Sequence, residues 1–357
     1  MLLMRLWRYF KKGRNKSMRK QEDIKSKRET SSLDSDYIYI KITKRKIILA
    51  VSTVMVILSI FGISFFLPQS TTQTLVVSSA TWLYEQPFVG EYIPAKWLPK
   101  SYIISQVLPE NGFTSKLAFG DTVVKMVESG VIDKEKIEAL YNDRGGIPSD
   151  MIEFLTQPSN SPIHITSENS TWLLNLLWPL GLSNYMGIND ESPIAGEQVG
   201  NFASTGGWTL GKETNGGVYF NSLELVSLTP DQENRVKTLA DTIYRPCCDN
   251  STFFQDCNHG SAALGLIQLA VSQGLSDDEI YETLLYFNAF WFPQNYTETA
   301  LYLQHSENIA WIDVDPKRIL SKDYSSISGF MANVHTPAKD IPGLLPEASG
   351  GGSCAVS

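Results

Sequence analysis

The sequence predicts a mainly α fold, with a single transmembrane helix followed by a helical extracytoplasmic domain that carries one small β-hairpin. Three observations predict it. One apolar run, residues 47–67, contains no charged residue. Two helix-start signatures, Thr229-Pro230-Asp231-Gln232 and Ser276-Asp277-Asp278-Glu279, each precede a stretch of helical length. A period-two pattern is convincing in one region only, between Gly200 and Val226.

The apolar run IILAVSTVMVILSIFGISFFL is 21 residues long, and at about 1.5 Å per residue a helix of that length spans the roughly 30 Å hydrocarbon core. It is longer than the apolar region of a cleaved signal peptide, and no small-residue cleavage site follows it. Lys41, Lys44, Arg45 and Lys46 precede it and no charge follows closely. The positive-inside rule then places residues 1–46 in the cytoplasm and residues 68–357 outside, in a single-pass protein of the plasma membrane with the lipid bilayer as a partner. Charge divides at the same place. Residues 1–46 hold 15 Lys and Arg against 5 Asp and Glu, whereas the whole 357-residue chain has a net charge of −8. The tail reads as a largely disordered basic segment, and its few aromatics make nucleic-acid binding a poor reading.

Beyond residue 68 the helices follow in order. Gly120-Asp121 opens a helical stretch that Gly130 closes, and Asp133 starts another through Tyr141. The segment TWLLNLLWPLGL is too short to cross a bilayer and reads as a buried core helix ended by Pro179 and Gly181. Asn215-Gly216 lies between two period-two segments and predicts the turn of the hairpin. Helices are expected from Pro230 to Tyr244, through GSAALGLIQLAVSQG, and from Ser276 to Trp291, where Pro293 stops the last. A short helix at Lys317 to Leu320 follows the turn at Asp315.

The chemistry concentrates between two of these helices, in RPCCDNSTFFQDCNHG, residues 245–260. Cys247 and Cys248 follow one helix C-terminus. Cys257 and His259 lie at the next N-terminus, whose positive end favours a Cys257 thiolate. Three thiolates and an imidazole suit Cu(I) or Zn, and the glycine-rich tail at 346–357 can bring Cys354 to the same point as a further ligand. The expected function is metal binding by Cys247, Cys248, Cys257, His259 and Cys354, with a metal donor or acceptor protein as partner. His335, near Met331, joins this set if the C-terminal segment folds back over the loop. Two alternatives compete for the same residues. The four cysteines can pair as structural disulfides in a non-catalytic interaction or scaffold domain, or act as redox-active thiols in a thiol-disulfide oxidoreductase. Neither the C-x2-C spacing of common zinc modules nor C-x-x-C-H is present. The stretch Gly206 to Glu213 resembles a phosphate-binding loop but lacks its Ser or Thr and the following helix, which excludes a nucleotide. No catalytic motif is found, so binding is expected rather than catalysis.

Overall fold

The computed structural model describes residues 80–86, 90, 93–142, 145–147 and 149–345. The chain divides into two compact units, Met1–Trp97 and Leu98–Ser357. In the first, the described residues form a helical turn over 80–85 and a 3-10 turn at Ala95–Trp97.

The second unit is built on helices whose starts are written in the sequence. After α1 (Lys100–Val107), α2 (Thr122–Glu128) ends at Gly130, whose φ of +79° is a conformation that favours glycine. In α3 (Lys134–Asn142), Asp133 accepts from the Lys136 amide at 3.0 Å. The core helix α4 spans Ser170–Ser183 and is buried along nearly its whole length. Both expected capping boxes are formed, by Thr229 with Gln232 on α5 (Pro230–Thr242) and by Ser276 with Glu279 on α7 (Asp277–Trp291). Between them lies α6 (Asn258–Ser272), and α8 (Pro293–Glu307) follows α7 directly.

The centre of this unit is the crossing of α4 and α6. A Cβ added to Gly181 would stand 1.8 Å from the Ser261 carbonyl oxygen, and one on Gly265 would stand 2.5 Å from that of Leu177. The two glycines are what let the backbones meet. Pro179 and Gly181 therefore lie inside α4 rather than ending it: burial on all sides outweighs the proline's missing hydrogen bond, and Gly181 serves the helix contact.

Two expectations about the fold are corrected. The segment between Gly200 and Val226 is not a β-hairpin. It forms 3-10 turns at Val199–Asn201 and Gly216–Tyr219 with a helical turn at Ala203–Gly206. Asn215 has φ −136° and ψ 126°, whereas a tight type I′ turn needs positive φ. Its side chain instead accepts from the Gly217 amide at 2.8 Å and donates to the Gly200 carbonyl at 2.9 Å, capping the 3-10 turn. The antiparallel pair that does form joins β1 (Phe113–Thr114) to β2 (His164–Ile165), with Phe113 opposite Ile165.

The second correction concerns the membrane. Among the described residues no helix is long and apolar enough to cross one. The strongly apolar α4 has 14 residues, about 21 Å at 1.5 Å per residue against a core of roughly 30 Å. The expected span at residues 47–67 lies outside the described residues, as does the basic tail of residues 1–46. The single-pass architecture, the plasma-membrane localisation and the lipid bilayer as partner are thus without structural support and are set aside.

Candidate metal centre

The loop from Ile243 to Cys257 is held by the elements around it. The Thr252 amide and hydroxyl both donate to the Ile243 carbonyl at 2.9 Å, and the Phe253 amide reaches Ala240 at 3.2 Å. Ser204 binds the loop twice, its amide to the Asp256 carbonyl at 3.1 Å and its hydroxyl to that of Gln255 at 2.7 Å. From the C-terminal side, the Ile327 amide donates to the Cys248 carbonyl at 3.0 Å and the Ser328 amide to Asp249 Oδ1 at 2.9 Å. The loop backbone is thus fixed on three sides, and the freedom that remains belongs to its side chains.

Within it the three cysteines face one another. Their Sγ atoms all lie within 4.8 Å of each other, and Cys247 Sγ is 3.4 Å from Cys257 Sγ. Sulfurs on one ion at about 2.3 Å each stand roughly 3.8 Å apart, so the cluster has the spacing to hold Cu(I) or Zn. Cys257 is the N-cap of α6, its sulfur accepting from the Gly260 amide at 3.4 Å.

Beside it lies Arg245, with no solvent exposure. Its Nη1 donates to the carbonyls of Asn250 and Ser251, each at 2.6 Å, and its Nη2 to that of Phe254 at 3.1 Å. Nη2 also pairs with Asp256 Oδ1, and Nε lies 3.4 Å from Cys257 Sγ. Asp256 is held on its other oxygen by the Asn250 side-chain amide at 2.8 Å. A Cβ on Gly260 would stand 2.5 Å from Arg245 Nη2, so glycine is required for the guanidinium to lie over the start of α6.

These contacts polarise the sulfurs. The hydrogen bond from Cys247, followed by that from Cys248, holds Cys257 well below the usual thiol range against the opposing effect of burial, and Arg245 acts in the same direction. Cys247 moves the opposite way, because its hydrogen bonds to Cys248 and Cys257, and then burial, favour the protonated thiol. At Cys248, the lowering effect of the hydrogen bond with Cys247 is outweighed by Cys257 and burial, and the thiol is pushed up to about 11. Burial opposes charge on Arg245, yet the neighbouring cysteines and Asp256 keep its pKa raised. Of the three sulfurs, Cys257 is thus the one on which negative charge is most favoured, beside a fixed cation.

Comparison with protein-family models, curated proteins and solved structures finds no match to this chain. The reading of the site accordingly rests on its geometry.

Of the residues singled out by the sequence, Cys247, Cys248 and Cys257 come together. His259 does not join their group of ligand atoms. Its ring packs on Phe292 and Trp291, with centroids 4.5 and 5.9 Å away, and lines a cavity of about 310 Å³ with Ser170 and Thr171. Burial pushes its pKa down to about 4. The expected Cys/His loop is thus corrected to a cluster of cysteines alone. Cys354 lies outside the described residues. The C-terminal segment does fold back over the loop, but His335 pairs with Glu298 Oε1 at 2.7 Å. Structural disulfides are not formed among the described cysteines, which are all free, since 3.4 Å is far longer than the roughly 2.05 Å of an S–S bond. Sequence reasoning left Arg245 and Asp256 without a role. Opposite charges flanking a cysteine cluster were the signal available, and only the folded loop shows that they meet.

Proposed function

We propose that this chain binds a single thiophilic ion, Cu(I) or Zn, through Cys247, Cys248 and Cys257. The observation that carries the reading is the convergence of three sulfurs on one point beside a buried guanidinium. Three thiolates crowded together repel one another, and without an ion protons on the sulfurs relieve that repulsion. An ion would replace those protons as the positive charge that holds the sulfurs together, while Arg245 offsets part of the remaining negative charge. The vicinal pair supplies two ligands from one turn and the N-cap of α6 supplies the third, so the ion would link the end of the α5 segment to the start of α6.

The test is metal stoichiometry on the purified full-length chain, by elemental analysis after loading and desalting, with affinity from competition against a chelator. One equivalent of Zn or Cu(I) is expected, lost in Cys257→Ser and retained in His259→Ala. A chain that retains no ion, or loses it equally in both variants while remaining helical by circular dichroism, contradicts the proposal.

A further inference from the structure

The geometry points to Cys257 as the sulfur that reacts with hydroperoxides, and to Cys247, 3.4 Å away, as the sulfur that resolves the product. Cys257 Sγ accepts from the Gly260 amide at 3.4 Å and from Arg245 Nε and Nη2 at 3.4 and 3.5 Å. A sulfur at a helix N-terminus, held by a fixed cation, is placed as the nucleophilic form of cysteine. Cys247 Sγ is 3.4 Å away, so a bond of roughly 2.05 Å requires an approach of about 1.4 Å, within the reach of side-chain rotation. All three cysteine residues are half-buried rather than fully enclosed.

The chemistry closes without a further reactant. The Cys257 sulfur attacks one oxygen of hydrogen peroxide; the O–O bond breaks, hydroxide leaves and is protonated to water, and Cys257 becomes a sulfenic acid. The Cys247 sulfur then attacks the Cys257 sulfur. The S–O bond breaks, and the hydroxyl leaves as water with the Cys247 proton. Two thiol sulfurs are oxidised to one disulfide, and one peroxide is reduced to two waters. The consequence for the ion rests on the metal-binding reading above, whereas the thiol chemistry does not. The disulfide removes two of three ligand sulfurs and so expels the ion, and a bound ion in turn occupies the lone pairs that peroxide must meet. The same three sulfurs therefore alternate between an ion-holding state and an oxidised, empty one.

The experiment treats the reduced, metal-free full-length chain with dilute hydrogen peroxide and follows intact mass and chymotryptic peptides. Cleavage at Phe253 and Phe254 separates Cys257 from the vicinal pair. A loss of about 2 Da is expected, with the Cys257 peptide linked to that of Cys247. Cys248→Ser should keep the link. Cys247→Ser should lose it and leave a sulfenic acid on Cys257 that dimedone traps. Fragment ions between Cys247 and Cys248 in the wild-type linked peptide make the same assignment without a variant. No loss of mass, a link to Cys354, or a link that persists in Cys247→Ser overturns the inference. Preloading with Zn should slow the reaction at least about tenfold. A chain that forms the link but never retains Zn upholds the thiol chemistry and refutes the metal reading; a chain that retains Zn but never forms the link does the reverse.

Discussion

Replacing Arg245 is the perturbation with the widest consequences. Its guanidinium has no solvent exposure and serves five acceptors: the carbonyls of Asn250, Ser251 and Phe254, the Asp256 carboxylate and the Cys257 sulfur. Arg245→Met leaves the Asp256 carboxylate with only the Asn250 side chain and takes the guanidinium from the Asn250 carbonyl, whereas the Ser251 and Phe254 carbonyls keep the amides of Phe254 and Asp256 at 3.1 and 2.9 Å. Breaking one side of a buried ion pair costs about 3–5 kcal/mol, and the orphaned Asn250 carbonyl would add about 1–3 kcal/mol if water did not enter. A loss of about 4 kcal/mol is expected, a large share of the roughly 5–15 kcal/mol by which a domain is stable. Arg245→Lys is the measurable intermediate. An ammonium has three donors for five acceptors and lacks the planar fork, so a loss of about 2–4 kcal/mol is expected, with weaker ion binding. Urea unfolding followed by far-ultraviolet circular dichroism gives the stabilities. The order wild type, Lys variant, Met variant is predicted. An Arg245→Met chain within about 1 kcal/mol of wild type would refute the argument that the guanidinium organises the loop.

Other outcomes follow from single contacts. Gly265→Ala places a methyl group 2.5 Å from the Leu177 carbonyl oxygen; despite alanine's better helix propensity it should lower unfolding free energy by about 1–3 kcal/mol, measured by denaturant midpoint. Hydrogen bonds from Lys116, then from the Ser276 amide and hydroxyl, hold the Glu279 carboxyl at about 2, below its ordinary value of 4.5. Because the folded pKa is depressed, this contribution is fully present above about pH 4.5 and is lost as pH falls toward 2. Glu279→Gln keeps a box-forming side chain and should flatten stability across that window by about 1 kcal/mol, the group being partly solvent-screened. Zn binding near neutral pH should release fewer than three protons, because the hydrogen bonds from Cys247 and Cys248 and the charge of Arg245 lower the Cys257 thiol. Calorimetry in buffers of different ionisation enthalpy counts them.

The parts of this structure legible in the sequence are those set by local chemistry. Thr229 with Gln232 and Ser276 with Glu279 each need only residues three apart, and both boxes form as read. Cysteine concentration alone located the site. Pro293 was legible as a break, yet it also serves as the first residue of α8, because its missing amide costs nothing at a helix start. Asn215-Gly216 has the composition of a hairpin turn, but its backbone is decided by a distant partner, the Gly200 carbonyl. The pair of β1 and β2 has two residues on each side, too few to leave a period. The Arg245 network was legible only as opposite charges flanking the cysteines, since three of its acceptors are main-chain carbonyls that any residue provides.

The identity of the donor atoms bears most directly on the metal reading. X-ray absorption spectroscopy of the Zn-loaded or Cu(I)-loaded full-length chain resolves them. The geometry predicts a shell dominated by sulfur at about 2.3 Å, with no imidazole signature and no change in His259→Ala. A shell of nitrogen and oxygen donors, or imidazole scattering that disappears in that variant, would contradict a site made by Cys247, Cys248 and Cys257.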